Sequence, residues 1–381
     1  LCESRGHKAL PEASDLRIRY RGRSRETGAS PNCGAEAGER MEETKIRDRG
    51  IDLARCVAIL AVLMIHTASV AVTAYAPGSG GWFGTMFWGS LVRFAVPVFF
   101  MCSGAVFLGR DVSYRDLFLK YILRIAAALL VWSALYEAFD FLRGFHTGWT
   151  GVREAVKNVL TLNNHFHFYY LEIILLVYLF LPVLRVFTKH AGRNTMLYGL
   201  ALWFFTGILI PTFGGFYPFT AWSGLIRRWY LPQAWAAMGY ALLGYFIAAG
   251  EKKTRVYLPL LLLGFAVTFG GGAAANWSGG EFSETFWGGM TLGPCLMAAG
   301  VFGLCRNYSG RGKAVTFVSG GSFCVYLCHD FFNIILRHFG LSPAELMPAV
   351  SIPLLSILVL GLSLGVYAVL RLIPGVRRWL I

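Results

Sequence analysis

The chain has 381 residues, 56% of them hydrophobic and only 15% charged, with a net charge of +14 and a mean hydropathy of +0.54. A soluble domain carries roughly a quarter charged residues, and long apolar runs recur here after residue 50. The composition therefore argues against a soluble globular enzyme and for an all-α polytopic membrane protein. In a soluble chain so basic a balance would suggest nucleic acid. Here the Lys and Arg residues sit in short loops between apolar runs, where membrane topology accounts for them and no nucleic-acid partner is implied.

Residues 1–46 are polar, mixed in charge and without hydrophobic periodicity or a signal-peptide core. Met41, just before "EETKIRDRGIDLARC", is the expected start, with residues 1–40 as upstream sequence or a disordered tail. Ten spans are then expected in one bundle, at 51–72, 83–108, 117–140, 166–187, 195–213, 230–250, 255–272, 286–305, 316–337 and 348–371. Each suits about 30 Å of hydrocarbon at roughly 1.5 Å per residue. With the first span running outward from the cytoplasm, nineteen Lys and Arg fall on the cytoplasmic side and six on the other. Both termini are therefore expected in the cytoplasm, with residues 376–381 as a short tail. In the outer loop 141–165, "GVREAVKNVLTL" (151–162) is amphipathic and suits a helix lying on the membrane surface. The Gly-rich "GGGAAANWSGG" (270–280) lacks the spacing of a phosphate loop. Eight cysteines form no CxxC pair, and six lie in or beside apolar runs, as packing residues do.

Ionisable groups within spans are costly and are the best functional leads. The first span reads "RCVAILAVLMIH", with Arg55 and His66 eleven residues apart. At about 100° per residue they share a face, and they are separated by roughly 16 Å along the helix. Arg55 then lies near the cytoplasmic surface, as a phosphate-binding fork or as a snorkelling anchor. His66 lies beyond the midplane, as a proton-handling group or as an interhelical hydrogen-bonding residue. The second span carries Arg93 in "RFAVPVFFMCSG". Pro97 has no N–H, so the Arg93 carbonyl loses its helical partner and a kink with a polar interior is expected. A structural Arg paired to a carboxylate such as Glu137 or Glu172 is the alternative. Ser103 and Gly104 allow close helix approach.

The fourth span opens "NHFHFYYLEIILLVYLFLP". On a helix, His165, Tyr169 and Glu172 share a face, whereas His165 and His167 diverge by about 200°. That divergence argues against a metal, and no metal site is expected. In the ninth span, "GSFCVYLCHDFFN", a stripe of Ser322, Tyr326, His329 and Asn333, with Asp330 beside it, should face the bundle interior. It serves either a site or a satisfied packing network.

Together, "RCVAILAVLMIH", "RFAVPVFFMCSG", "FHFYYLEIILLVYLFLP" and "SFCVYLCHDFF", in this order, resemble the acyltransferase-3 family of integral membrane O-acyltransferases, over about residues 47–375. The family often has His-Leu-Trp where this chain has His167-Phe168-Tyr169, and Pro where it has Asp330. The resemblance is to stand-alone members that acetylate cell-surface glycans. It implies a multi-pass protein of the cell membrane, with acetyl-CoA or another acyl-CoA as donor substrate, no tightly bound cofactor, and a glycan or lipid-linked sugar hydroxyl as acceptor. It implies catalytic roles for His66 and Arg93 and donor binding by Arg55. His167, Glu172, Tyr326 and His329 are secondary candidates. Two other classes remain open on the residues alone: a transporter of a small solute or lipid-linked sugar, and a membrane sensor or resistance module. Transfer of label from acetyl-CoA distinguishes the first reading from both.

Overall fold

The computed structural model describes residues 48–162, 165–228, 233–251, 254–310 and 312–381. The N-terminal tail and the start expected at Met41 lie outside them. The described residues are helical with no strand. The helices are α1 (Arg49–Ser69), α2 (Gly80–Leu91), α3 (Ala95–Phe107), α4 (Tyr114–Leu142), α5 (Gly148–Thr161), α6 (Tyr169–His190) and α7 (Arg193–Phe213). They continue with α8 (Thr220–Arg228), α9 (Gln233–Ala249), α10 (Thr254–Asn276), α11 (Leu292–Cys305), α12 (Lys313–His338), α13 (Pro348–Leu370) and α14 (Pro374–Trp379).

Among the described residues, seven segments are long and apolar enough to cross a membrane. The other three expected spans fall on α9, α11 and α12. Helix α9 has 17 residues and α11 has 14, short for about 30 Å of hydrocarbon. Helix α12 has 26 residues, but carries Lys313, His329, Asp330 and Arg337.

Helix α1 is central and packs against α3, α12 and α13. It starts where Asp48 caps it, the carboxylate accepting from the Gly50 and Ile51 amides at 2.9 and 3.1 Å, an arrangement that contributes about 1 kcal/mol. Its core face is built of small and branched residues, among them Ala54, Ala58, Ile59 and Val62. Without a hydrophobic drive between helices in lipid, such close packing and polar cross-links hold the bundle. The cross-links are present. Ser319 of α12 donates to the buried Asp52 at 2.7 Å, and Ser356 of α13 donates to Thr67 at 3.1 Å. The expected close approach at Gly104 is made with α9, where a Cβ would collide with the Ala241 carbonyl. The six described cysteines are free and mostly buried.

Three departures from the expected layout bear on the site. The second span is broken into α2 and α3 by a turn over 92–94, where the Ala95 amide bonds the Val92 carbonyl at 3.1 Å. The expected kink at Pro97 is thus a full break just upstream of it. Helix α10 runs on to Asn276, whose side chain clamps Ser283 through bonds of 3.1 and 2.7 Å. Helix α11 begins only at Leu292, not near 286. Gly288 and Gly289 disfavour helix, and Trp287 is fully buried instead, its indole N–H donating to Ser90 at 2.9 Å. The C-terminal residues pack on the bundle. Ile381 is buried against α4, where Arg124 donates to its carbonyl and the Trp132 indole donates to the Leu380 carbonyl at 3.2 Å.

Candidate active site

The end of α1, the turn before α6 and the second half of α12 meet at one end of the bundle and bring four imidazoles together. The His66 ring centroid lies 4.9 Å from that of His329 and 6.2 Å from that of His167. His167 lies 5.2 Å from His329, and His165 lies 5.9 Å from His167. Helical spacing explains the α12 members. Ser322, Tyr326 and His329 form the expected stripe, and all three are buried with Asp330. The Tyr326 hydroxyl donates to the His167 carbonyl, tying α12 to the turn before α6. The His329 Nδ1–H donates to the Tyr326 carbonyl at 2.7 Å, since a carbonyl can only accept. In neutral His329 the Nε2 therefore carries a lone pair, and that buried atom has no partner.

The expectation for His165 and His167 fails for a local reason. Phe166–Phe168 form a 3-10 turn, and His165 before it has φ −54° and ψ 131°. The helix starts only at Tyr169. The divergence argued from α-helical spacing does not apply, and both imidazoles turn toward Asp330. His165 Nδ1 lies 3.8 Å and His167 Nδ1 4.0 Å from Asp330 Oδ2. Nor do His165, Tyr169 and Glu172 share a helical face. Glu172 is exposed on α6, and its charge is felt by Tyr326.

His66 opens onto a small cleft of about 50 Å³ whose lining includes Ser69, Phe166, Asp330, Asn333 and Arg337. Its Nδ1 is buried without a partner. Arg93 sits at the α2–α3 break, its guanidinium carbon 4.3 Å from the centre of the Trp287 ring and its Nε–H donating to the Gly89 carbonyl at 3.2 Å. It forms no ion pair among the described residues, neither with Glu137 nor with Glu172. Its electrostatic neighbours are Glu284 and Tyr169, and its own charge reaches His66. Glu137 faces His146 instead, at 3.1 Å.

Arg55 lies toward the opposite end of α1, its charge felt by Tyr170, Tyr178 and Cys102. Between Arg55 and His66 on their common face stand Ile59 and Val62, at 0% and 1% exposure. In this conformation that stripe is packed core, not an open path. Sequence reading missed Trp287, Asp140 and the cleft residue Arg337. Trp287 lay in what reads as the start of a span, and Asp140 at the end of another.

The profile of the acyltransferase-3 family, described as an acyltransferase domain, matches residues 48–368, most of the chain. The chain belongs to the acyltransferase-3 family. It is an acyltransferase with multiple apolar helices suited to a membrane. No match was found among curated proteins or among solved structures. Within an acyltransferase-3 chain, an imidazole lining a cleft, with a cationic side chain in electrostatic reach, is a combination that can move a proton and stabilise a developing oxyanion.

Proposed function

We propose that this acyltransferase moves an acetyl group from cytoplasmic acetyl-CoA to a hydroxyl of a cell-surface or lipid-linked glycan, as a multi-pass protein of the plasma membrane. The proposed topology has ten crossings with both ends in the cytoplasm. The observation that carries the reading is the placement of His66 in the lining of the cleft, while Arg55 stands on the same helix roughly 16 Å away toward the more basic loops. The two ends of α1 thus offer one group suited to phosphate and one suited to a hydroxyl.

In this reading Arg55 and the basic cytoplasmic rim hold the phosphates of CoA. His66 takes the proton of the acceptor hydroxyl as its oxygen attacks the thioester carbonyl. Arg93 stabilises the negative charge that gathers on that carbonyl oxygen. The carbon–sulfur bond then breaks, and the proton held by His66 passes to the departing thiolate. In the covalent variant the His66 nitrogen itself takes the acetyl group first and then hands it to the hydroxyl.

The test uses membrane vesicles with radiolabelled acetyl-CoA on the cytoplasmic face and a lipid-linked glycan as acceptor. Label should appear on the glycan when the protein is present. An acid quench that leaves label on the protein selects the covalent variant. Movement of solute without any consumption of thioester would overturn the reading and make the chain a transporter.

A further inference from the structure

The side chains of His165, His167 and Asp330 converge in a way that the acyl-transfer reading does not use. One ligand atom from each lies within 4.8 Å of the other two. His167 is 0% exposed at its side chain, and neither ring nitrogen has a hydrogen-bond partner. A buried imidazole with two idle nitrogens is costly unless something occupies the space they face.

The orientation of His165 adds an independent constraint. Its Nε2 lies 3.0 Å from Asp140 Oδ2, and a carboxylate oxygen accepts, so the proton is on Nε2. Asp140 is itself held by Arg143 at 3.1 Å. In the neutral ring the Nδ1 lone pair then faces Asp330 Oδ2, another acceptor, at 3.8 Å. Two acceptors pointed at each other need a positive charge between them, either a second proton on Nδ1 or a bound cation. A carboxylate that fixes the far nitrogen of a histidine, leaving the near one to bind, is the outer support that metal-ligating histidines use.

We propose that His165, His167 and Asp330 bind a divalent transition-metal ion of the Zn²⁺ type. Two imidazoles and a carboxylate suit that class, and three protein ligands leave a fourth position open. Around a tetrahedral ion with bonds near 2.05 Å, ligand atoms lie about 3.3 Å apart. The 3.8 and 4.0 Å separations from Asp330 would have to close by about half an ångström, and the two imidazole ligand atoms, within 4.8 Å of each other, by up to about 1.5 Å, through rotation of the rings. Asp330 also lines the cleft beside His66, which would place an ion it binds next to that space. Resting on the acyl-transfer reading, the ion would hold the acceptor hydroxyl oxygen there and ease loss of its proton to His66.

The experiment uses the full chain in detergent, purified through a tag free of histidine, with neither CoA nor acceptor present. After equilibration with Zn²⁺ and removal of loose metal, elemental analysis should find one zinc per chain. Co²⁺ should give the visible absorption bands of a tetrahedral site. Asp330→Ala should abolish both signals. Asp140→Asn, which touches no metal, should weaken Co²⁺ affinity by roughly 10–100-fold and keeps the test decisive if Asp330→Ala fails to fold. His66→Ala should retain the metal. Wild-type protein that holds no zinc and shows no cobalt bands overturns the proposal and leaves His165 as an imidazolium between two carboxylates. Metal retained at full affinity in both Asp variants overturns it as well. Either failure leaves acyl transfer intact, because His66→Ala tests that separately.

Discussion

Replacing His66 with Ala separates chemistry from folding because of how the ring is held. Its Nδ1 is buried without a partner, so truncation breaks no hydrogen bond there. The Ser69 hydroxyl bonds the backbone carbonyl of residue 66 at 2.8 Å, which the substitution leaves in place. What is lost is packing against Phe166 and His329, with centroids at 5.3 and 4.9 Å. For a half-buried ring that is about 1–2 kcal/mol, a small shift in melting temperature. A positioned general base contributes roughly 10²–10⁴-fold, or about 3–5.5 kcal/mol of barrier. The variant should therefore insert, purify and melt close to wild type while transfer of label from acetyl-CoA falls at least about a hundredfold. The assay is initial rate in vesicles, normalised to folded protein by size exclusion. A His66→Ala rate within tenfold of wild type would refute the assignment, as would an unfolding loss large enough to explain the fall in activity.

Arg55→Ala should raise KM for acetyl-CoA by roughly 10–150-fold through loss of a charge-assisted contact of about 1.5–3 kcal/mol, with Arg55→Lys intermediate because the planar fork is lost but the charge is kept; equal KM in all three proteins refutes donor binding there. Arg93→Ala should lower kcat by roughly 10²–10³-fold with little change in KM, measured on the same substrates. Tyr326→Phe leaves the His167 carbonyl without its donor, a cost of about 1–3 kcal/mol, seen as a lower melting temperature. Gly104→Val drives a branched side chain into the α9 backbone at Ala241, and such overpacking costs about 1–3 kcal/mol, read as lost yield and stability in detergent.

Helical periodicity was enough to place the polar stripe of α12. Ser322, Tyr326 and His329 recur at the spacing of one face, and a polar face on an apolar helix turns toward the bundle interior. The same arithmetic put Arg55 and His66 on one side of α1, where the helix is regular from Arg49 to Ser69. It failed at His165 and His167 because periodicity assumes a helix, and that turn is 3-10 preceded by extended backbone. It failed again at Trp287. A tryptophan beside apolar residues reads as the start of a span, yet Gly288 and Gly289 hold it in a loop that packs on Arg93. Asp140 could not be found from spacing at all, since its role arises from α4 ending beside His165, a contact between residues 25 apart in sequence.

The packing of α1 links the two halves of the reading. A membrane enzyme with a donor on one side and an acceptor on the other must let an acyl group through without letting ions or water through. Ile59 and Val62, at 0% and 1% exposure, close the direct route between Arg55 and His66 by side-chain packing. Beside that seal stand Tyr170, which feels the charge of Arg55, and Tyr326, its ring 5.3 Å from Tyr170 and 6.0 Å from His329. The half-buried Tyr170 ring can swing about χ1 and χ2 without backbone strain, and Tyr326 can follow once its bond to the His167 carbonyl breaks, whereas Ile59 and Val62 are branched, stiff at χ1 and locked in the core. If an acyl arm reaches His66 from the Arg55 end, the Tyr170–Tyr326 side of α1 is where the bundle can open without unpacking the helix that carries both groups.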